Sequence, residues 1–123
     1  MPADCLQTFV LSNGDLEVYG EVSLFQLSAE DSYIKRANDT RVYVEMSNLL
    51  VNAAWRENGY GRVLVHLAQQ HAQQRGWCIF LRAIPYGDSP IDLMDLIAFY
   101  RRCGFRSSTR VGNQQEMIWR PKR

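Results

Sequence analysis

Residues 51–62 read Val-Asn-Ala-Ala-Trp-Arg-Glu-Asn-Gly-Tyr-Gly-Arg (VNAAWRENGYGR), and their reading decides the fold. The stretch starts at the end of an apolar strand and runs into an amphipathic helix. Between the two sit an arginine, two glycines and few side chains that a core could use. A helix N-terminus carries unpaired backbone N–H groups and the positive end of the helix dipole. Gly59 and Gly61 let the chain curl so that consecutive N–H groups point at one spot, which makes a nest suited to phosphate. Arg56 can brace that loop or add charge to it.

Other glycine loops fit less well. A P-loop requires Gly-Lys-Ser/Thr, and this loop has Gly61-Arg62-Val63. A dinucleotide fingerprint requires a third glycine three residues beyond the second, where Leu64 stands. A plain structural turn between strand and helix remains open on the loop alone.

Working outward, residues 41–51 (RVYVEMSNLLV) alternate as a strand. One face carries Tyr43, Glu45, Ser47, Leu49 and Val51, and the other carries Val42, Val44, Met46, Asn48 and Leu50. Residues 60–75 turn helical, with Val63, Leu64, Leu67, Ala68 and Ala72 as the apolar stripe. Residues 77–84 (WCIFLRAI) form a second strand, which the intervening helix makes a parallel neighbour of the first. A second helix is expected from Ser89 as N-cap and Pro90 at the first helical position, with Asp92 completing the box and Gly104 as the stop. Strands over 7–11 and 16–27, joined at Asn13-Gly14, precede this unit. Gly20 marks a bulge or bend in the longer one. A hairpin over 105–119, turning at Gly112-Asn113, follows it. The order is β-β-(α)-β-α-β-α-β-β, a mixed α/β sheet rich in antiparallel pairs, and the 123 residues fit one domain.

Composition narrows the function classes. Net charge is +1 with 22% charged residues, which gives no reason to expect nucleic acid or an anionic membrane as partner. The 46% apolar content suits a packed core. No segment approaches the ~20 apolar residues of a membrane span, and the N-terminus lacks signal-peptide character, so a cytoplasmic protein is expected. Cys5, Cys78 and Cys103 have no metal-ligand spacing and read as reduced thiols. Cys103, beside two arginines, is expected to be a somewhat acidic thiol without a base partner. His66 and His71 share no helix face and read as structural.

Arg56-Glu57-Asn58-Gly59-Tyr60-Gly61 resembles the Gln/Arg-x-x-Gly-x-Gly/Ala signature of the Gcn5-related N-acetyltransferases, the GNAT superfamily. Leu49-Leu50-Val51 matches the strand end before that signature. Phe99-Tyr-Arg-Arg-Cys-Gly-Phe105 resembles the family's second motif, a helix with a tyrosine just before a Gly-Phe turn. The resemblance covers residues from about 41 to the C-terminus. It implies a GNAT-like sheet with a splayed parallel strand pair and helices on its faces, and acetyl-CoA as cosubstrate with no metal. Pantetheine would pair with backbone at Leu49, Leu50 and Val51. The pyrophosphate would lie on the loop of Arg56, Glu57, Asn58, Gly59, Tyr60, Gly61 and Arg62, in agreement with the nest.

Amine acetylation needs a base for the amine proton, an acid for the leaving thiolate and a donor for the oxyanion. Glu45 matches where some family members place a catalytic glutamate, a water chain being the other option. Tyr100 matches the family's general acid; a core tyrosine is the plainer reading. Asp88, Asp92 and Asp95 near the second helix read chiefly as capping residues. Two features depart from the family. Only about forty residues precede the strand at Arg41, so two N-terminal helices do not fit and one short helix over 29–37 would have to serve. The acceptor side is then either open or completed by a second copy in a homodimer. Leu93 also stands where an asparagine is usual, seven residues before Tyr100. Three readings follow: an N-acetyltransferase acting on an amine of unknown identity, a non-catalytic acyl-CoA-binding or protein-interaction module on the same fold, and an unrelated α/β domain with a structural glycine loop.

Overall fold

A computed structural model describes residues 5–12, 18–27, 41–51, 59–84 and 92–122, and describes 18, 19 and 48–51 by their backbone. The elements run β1 (Cys5–Ser12), β2 (Val18–Gln26), β3 (Tyr43–Val51), α1 (Tyr60–Arg75), β4 (Cys78–Ala83), α2 (Leu93–Arg102), β5 (Arg106–Val111) and β6 (Gln114–Trp119). Six strands form one sheet in the order β1-β2-β3-β4-β6-β5. β3 and β4 are its parallel pair, and every other pairing is antiparallel. The expected mixed sheet and element order are therefore present. The Asn13-Gly14 turn, the short helix over 29–37 and Ser89-Pro90 lie outside the described residues.

α1 lies on one face of the sheet and buries Leu64, Val65, Ala68 and Ala72 completely. They meet Val22, Leu24, Val44, Met46, Ile79, Leu81 and Met117 from four strands. Each large aliphatic side chain so buried contributes roughly 1.5–3 kcal/mol. The alanines add little area but let the helix axis approach the sheet. The stripe is rotated from the expected one: Val65 is inside, while Val63 is 44% exposed. At 100° per residue, Leu64, Ala68 and Ala72 set the buried line, and Val65 and Gln69 fall beside it toward the sheet. Val63 is turned away from the core.

The opposite face has its own cluster of Tyr43, Cys78, Phe80 and Ile118. The central strands are thus covered on both faces, which explains the apolar run at residues 78–81 of β4. β5 is exposed along its whole length, as suits an edge strand bearing Arg106 and Arg110.

α2 begins three residues after its expected start. Asp92 is the N-cap itself and accepts a 2.8 Å hydrogen bond from the Asp95 N–H. Asp92 therefore does the capping assigned to Ser89, because its short carboxylate reaches the N3 amide from an extended backbone. At the other end, Phe105 N–H donates to Tyr100 O and Gly104 N–H to Arg101 O, both at 3.0 Å. This is a Schellman cap, with Gly104 at φ 99° in the position that favours glycine. Its apolar contact is the edge-to-face pair of Tyr100 and Phe105, with ring centroids 5.7 Å apart. The Tyr-Arg-Arg-Cys-Gly-Phe motif is, physically, a helix stop that fixes its tyrosine.

Among the described residues no helix is long and apolar enough to cross a membrane.

Candidate functional site

The site begins where the sheet divides. β3 and β4 pair only as Tyr43↔Cys78, Val44↔Ile79 and Glu45↔Phe80. Beyond that point β3 stays with β2 as far as Val51↔Gly20, and β4 stays with β6 as far as Ala83↔Gln115. A fork therefore opens between β3 and β4. A bulge assists it: β3 advances from Ser47 to Leu50 while β2 moves only from Ser23 to Glu21, so β3 carries one extra residue there. A bulge bends its strand and leaves backbone groups outside the regular ladder. Leu49, Leu50 and Val51 stand on the diverging arm, where main-chain groups face the fork rather than β4. The bend expected at Gly20 is also present, as a register shift between Leu11↔Gly20 and Ser12↔Val18.

The arm of β3 leads to α1. Gly59 is the N-cap residue, at φ 79° and ψ 9°, and it supplies no side-chain cap. The first turn contains no acidic residue. Val63 N–H is the first to bond back, to Gly59 O at 3.1 Å. The amide end around Tyr60, Gly61 and Arg62 thus keeps its positive dipole uncompensated by any acidic side chain of that turn. Arg56, Glu57 and Asn58 lie outside the described residues.

A groove of about 420 Å³ starts at this helix end and runs between α1 and the C-terminus of α2. Gly59, Arg62, Val63, His66, Gln69, Arg102 and Cys103 line it. Two arginines and the amide end make it electropositive. Gln69, only 9% exposed, donates a 2.7 Å hydrogen bond to Cys103 O and so ties the middle of α1 to the end of α2. Burial pushes the Cys103 thiol pKa up, against the opposing pull of Arg62 and Arg102. That corrects the expected acidic thiol: desolvation of a thiolate outweighs two nearby guanidiniums.

Glu45 is the last β3 residue paired with β4 and stands at the base of the fork. Its carboxylate accepts a 2.8 Å hydrogen bond from an Arg82 Nη, with the two side chains 26% and 29% exposed. Tyr100 is 7% exposed and belongs to the main core, between Phe99 and Phe105. His66 is exposed in the groove. His71 is packed edge-on against Phe9 and Trp77. Its pKa is lowered by burial first and by Arg75 second. Among the described residues no group of three or more His, Cys, Asp or Glu is placed to hold a metal ion.

Sequence reasoning passed over Arg82 and Gln69. Arg82 follows the apolar run of β4, and only the register shows which carboxylate it meets. Gln69 is polar and stands outside the expected apolar stripe, although its place next to Ala68 and five residues after Leu64 sets it beside the buried line.

Comparison with known proteins agrees with this geometry. A family model described as an acetyltransferase (GNAT) domain matches residues 5–107. The tRNA(Met) cytidine acetyltransferase TmcA of Yersinia pestis (strain D106004) is 37% identical over 71 residues, which are 58% of this chain. The match spans only 9% of that curated relative's length. The crystal structure of the anti-CRISPR protein AcrVA5 has a TM-score of 0.62 and 23% identity, covering 93% of this chain and 99% of that one. The Bacillus subtilis N-acetyltransferase YlbP, solved in complex with coenzyme A, has a TM-score of 0.65 and 21% identity, covering 93% and 67%. At such identities the solved structures establish the fold, and the family match over most of the sequence establishes descent: the chain belongs to the GNAT acetyltransferase family.

Proposed function

We propose that the chain transfers the acetyl group of acetyl-CoA to a primary amine by direct attack. The observation that carries this is the fork: a parallel pair that parts after three residues, with a glycine-led helix N-terminus at the end of one arm. A thioester on a flexible arm fits between strands that have stopped pairing with each other. A pyrophosphate fits the amide end of α1, from Arg56, Glu57 and Asn58 through Gly59, Tyr60, Gly61 and Arg62. YlbP, solved with coenzyme A on this fold, supports the same cosubstrate here.

In the proposed reaction the neutral amine nitrogen attacks the thioester carbonyl carbon. The C–S bond then breaks, and backbone N–H near Val51 holds the transient oxyanion. Glu45, directly or through a water chain, takes the amine proton, and the Tyr100 hydroxyl protonates the departing thiolate. A coenzyme-binding module without turnover is the second reading, and the burial of Tyr100 in the main core is the observation in its favour.

Calorimetric titration with acetyl-CoA tests the cosubstrate, with Gly61→Glu as control. Wild type should bind, and the mutant, which sets a carboxylate at the phosphate position, should not. Thiol release from acetyl-CoA with a lysine peptide, spermidine or ethanolamine then tests transfer. Glu45→Gln and Tyr100→Phe should each lower kcat by ~100-fold while leaving coenzyme affinity unchanged. Equal turnover in all three proteins would point to another catalytic set, and coenzyme binding without turnover in wild type would leave the binding-module reading.

A further inference from the structure

The face of the sheet opposite α1 carries a row of charge across its three central strands. Glu45 on β3, Arg82 on β4 and Glu116 on β6 share that face with the apolar cluster of Tyr43, Phe80 and Ile118. Arg82 lies two residues beyond Phe80, the last β4 residue paired with β3, so it stands on the β4 arm just inside the fork. Its Cα partner on β6 is Glu116, which is 4% exposed. Its guanidinium sits 4.8 Å from the Phe80 ring centroid and donates to Glu45 at 2.8 Å. Aromatic ring and carboxylate thus hold one planar cation from two sides.

We propose that Arg82 is a positioning residue that bridges the base of the fork and fixes the Glu45 carboxylate toward the space between β3 and β4. This rests on the acetyl-transfer reading above. The argument is geometric. Glu45 is attached to β3, which bends away at its bulge, whereas the acyl carbon must lie between both arms. A carboxylate rotating freely on the β3 arm would sample many directions. A guanidinium anchored on the β4 arm selects one of them. Arginine suits this role better than lysine because its fork fixes an orientation as well as a distance.

The test combines kinetics with a spectroscopic signature, using the whole chain. With the same three acceptors, Arg82→Gln should lower kcat about tenfold while the acetyl-CoA Kd stays within about twofold. Arg82→Lys should recover part of that loss. In a Glu45→Gln background, Arg82→Gln should cause almost no further loss, because residues acting as one unit are not additive. Nitrogen-15 spectra of wild type, independent of any acceptor, should show separate and slowly exchanging Nη signals for Arg82 that merge in Glu45→Gln. Merged signals in wild type overturn the proposal even if no Arg82 variant folds. Full activity of Arg82→Gln, or a loss that multiplies independently with Glu45→Gln, overturns the positioning role alone. A wild type that binds acetyl-CoA but acetylates none of the acceptors overturns the transfer reading, and with it the base that Arg82 would position.

Discussion

Gly104 shows how one residue sets the position of another. At φ 99° an alanine would be strained, while its Cβ would meet Trp119 only at an ordinary 3.6 Å. The cost of Gly104→Ala is therefore backbone strain, about 1–2 kcal/mol, with no added clash. Loss of the Schellman geometry would also release the Tyr100–Phe105 ring pair. Chemical denaturation should show the destabilisation, and kcat should fall more than coenzyme affinity. His71 offers a second residue-scale test. Its pKa is lower in the folded protein than the ordinary 6.5, so the unfolded chain binds more protons in the interval between the two values. The stabilisation from its neutral form is complete above 6.5 and is lost as pH falls through the folded value. Urea midpoints should drop between pH 7.5 and 5.5, and His71→Phe, which keeps the packing against Phe9 and Trp77, should flatten that dependence. Glu45 and Tyr100 were both legible as candidates through the family resemblance that the glycine motif and the Gly-Phe turn carry. Arg82 was not, because a contact across 37 positions depends on a strand register that sequence periodicity does not contain.

Elements were more legible than their ties. α1 occupies the predicted 60–75, since its apolar period is long and its ends are marked by glycine. α2 starts late because Ser89, Pro90 and Asp92 all carry start signals, and the side chain that meets an N3 amide decides among them. The direction of α1 on the sheet follows from Leu64, Ala68 and Ala72. Its connection to α2 depends on Gln69, an amide whose burial no local pattern announces. Gln69→Leu keeps the volume and removes the 2.7 Å bond to Cys103 O. That carbonyl would remain poorly solvated beside α1, so we expect a loss of about 2 kcal/mol. Equilibrium denaturation checks the magnitude. The groove between the helices should loosen with it, raising the acetyl-CoA Kd, whereas Asp92→Ala should cost about 1 kcal/mol of stability without changing that Kd.

At the scale of the whole molecule, one sheet behaves as two halves hinged at three residue pairs. β1-β2-β3 and β4-β6-β5 are each continuous in hydrogen bonding, and among the described residues the strand pairing that joins them is Tyr43–Glu45 with Cys78–Phe80, flanked by the Cys78 N–H bond to Val42 O and the Arg82–Glu45 ion pair. α1 spans the division, packing on residues of β2, β3 and β4. Beyond Glu45↔Phe80 the inner edges of the two halves no longer pair with each other, and backbone groups there have more to gain from a ligand than an ordinary sheet surface does. An extended arm with amide groups would bond to the β3 side while its phosphates meet the end of α1. Binding should therefore stabilise the joined state by mass action: at one hundred times Kd the gain is about 2.7 kcal/mol, or roughly 10 °C in Tm for a domain of this size. Acetyl-CoA should produce that shift in wild type. Gly61→Glu should remove it, because the shift depends on the phosphate end as well as on the arm. Amide hydrogen exchange gives the spatial half of the test. Protection should rise along β3 and the first turn of α1, with β1 and β5 at the sheet edges unchanged. A uniform rise across all six strands would mean that the ligand stabilises the fold globally without joining the two halves at the fork.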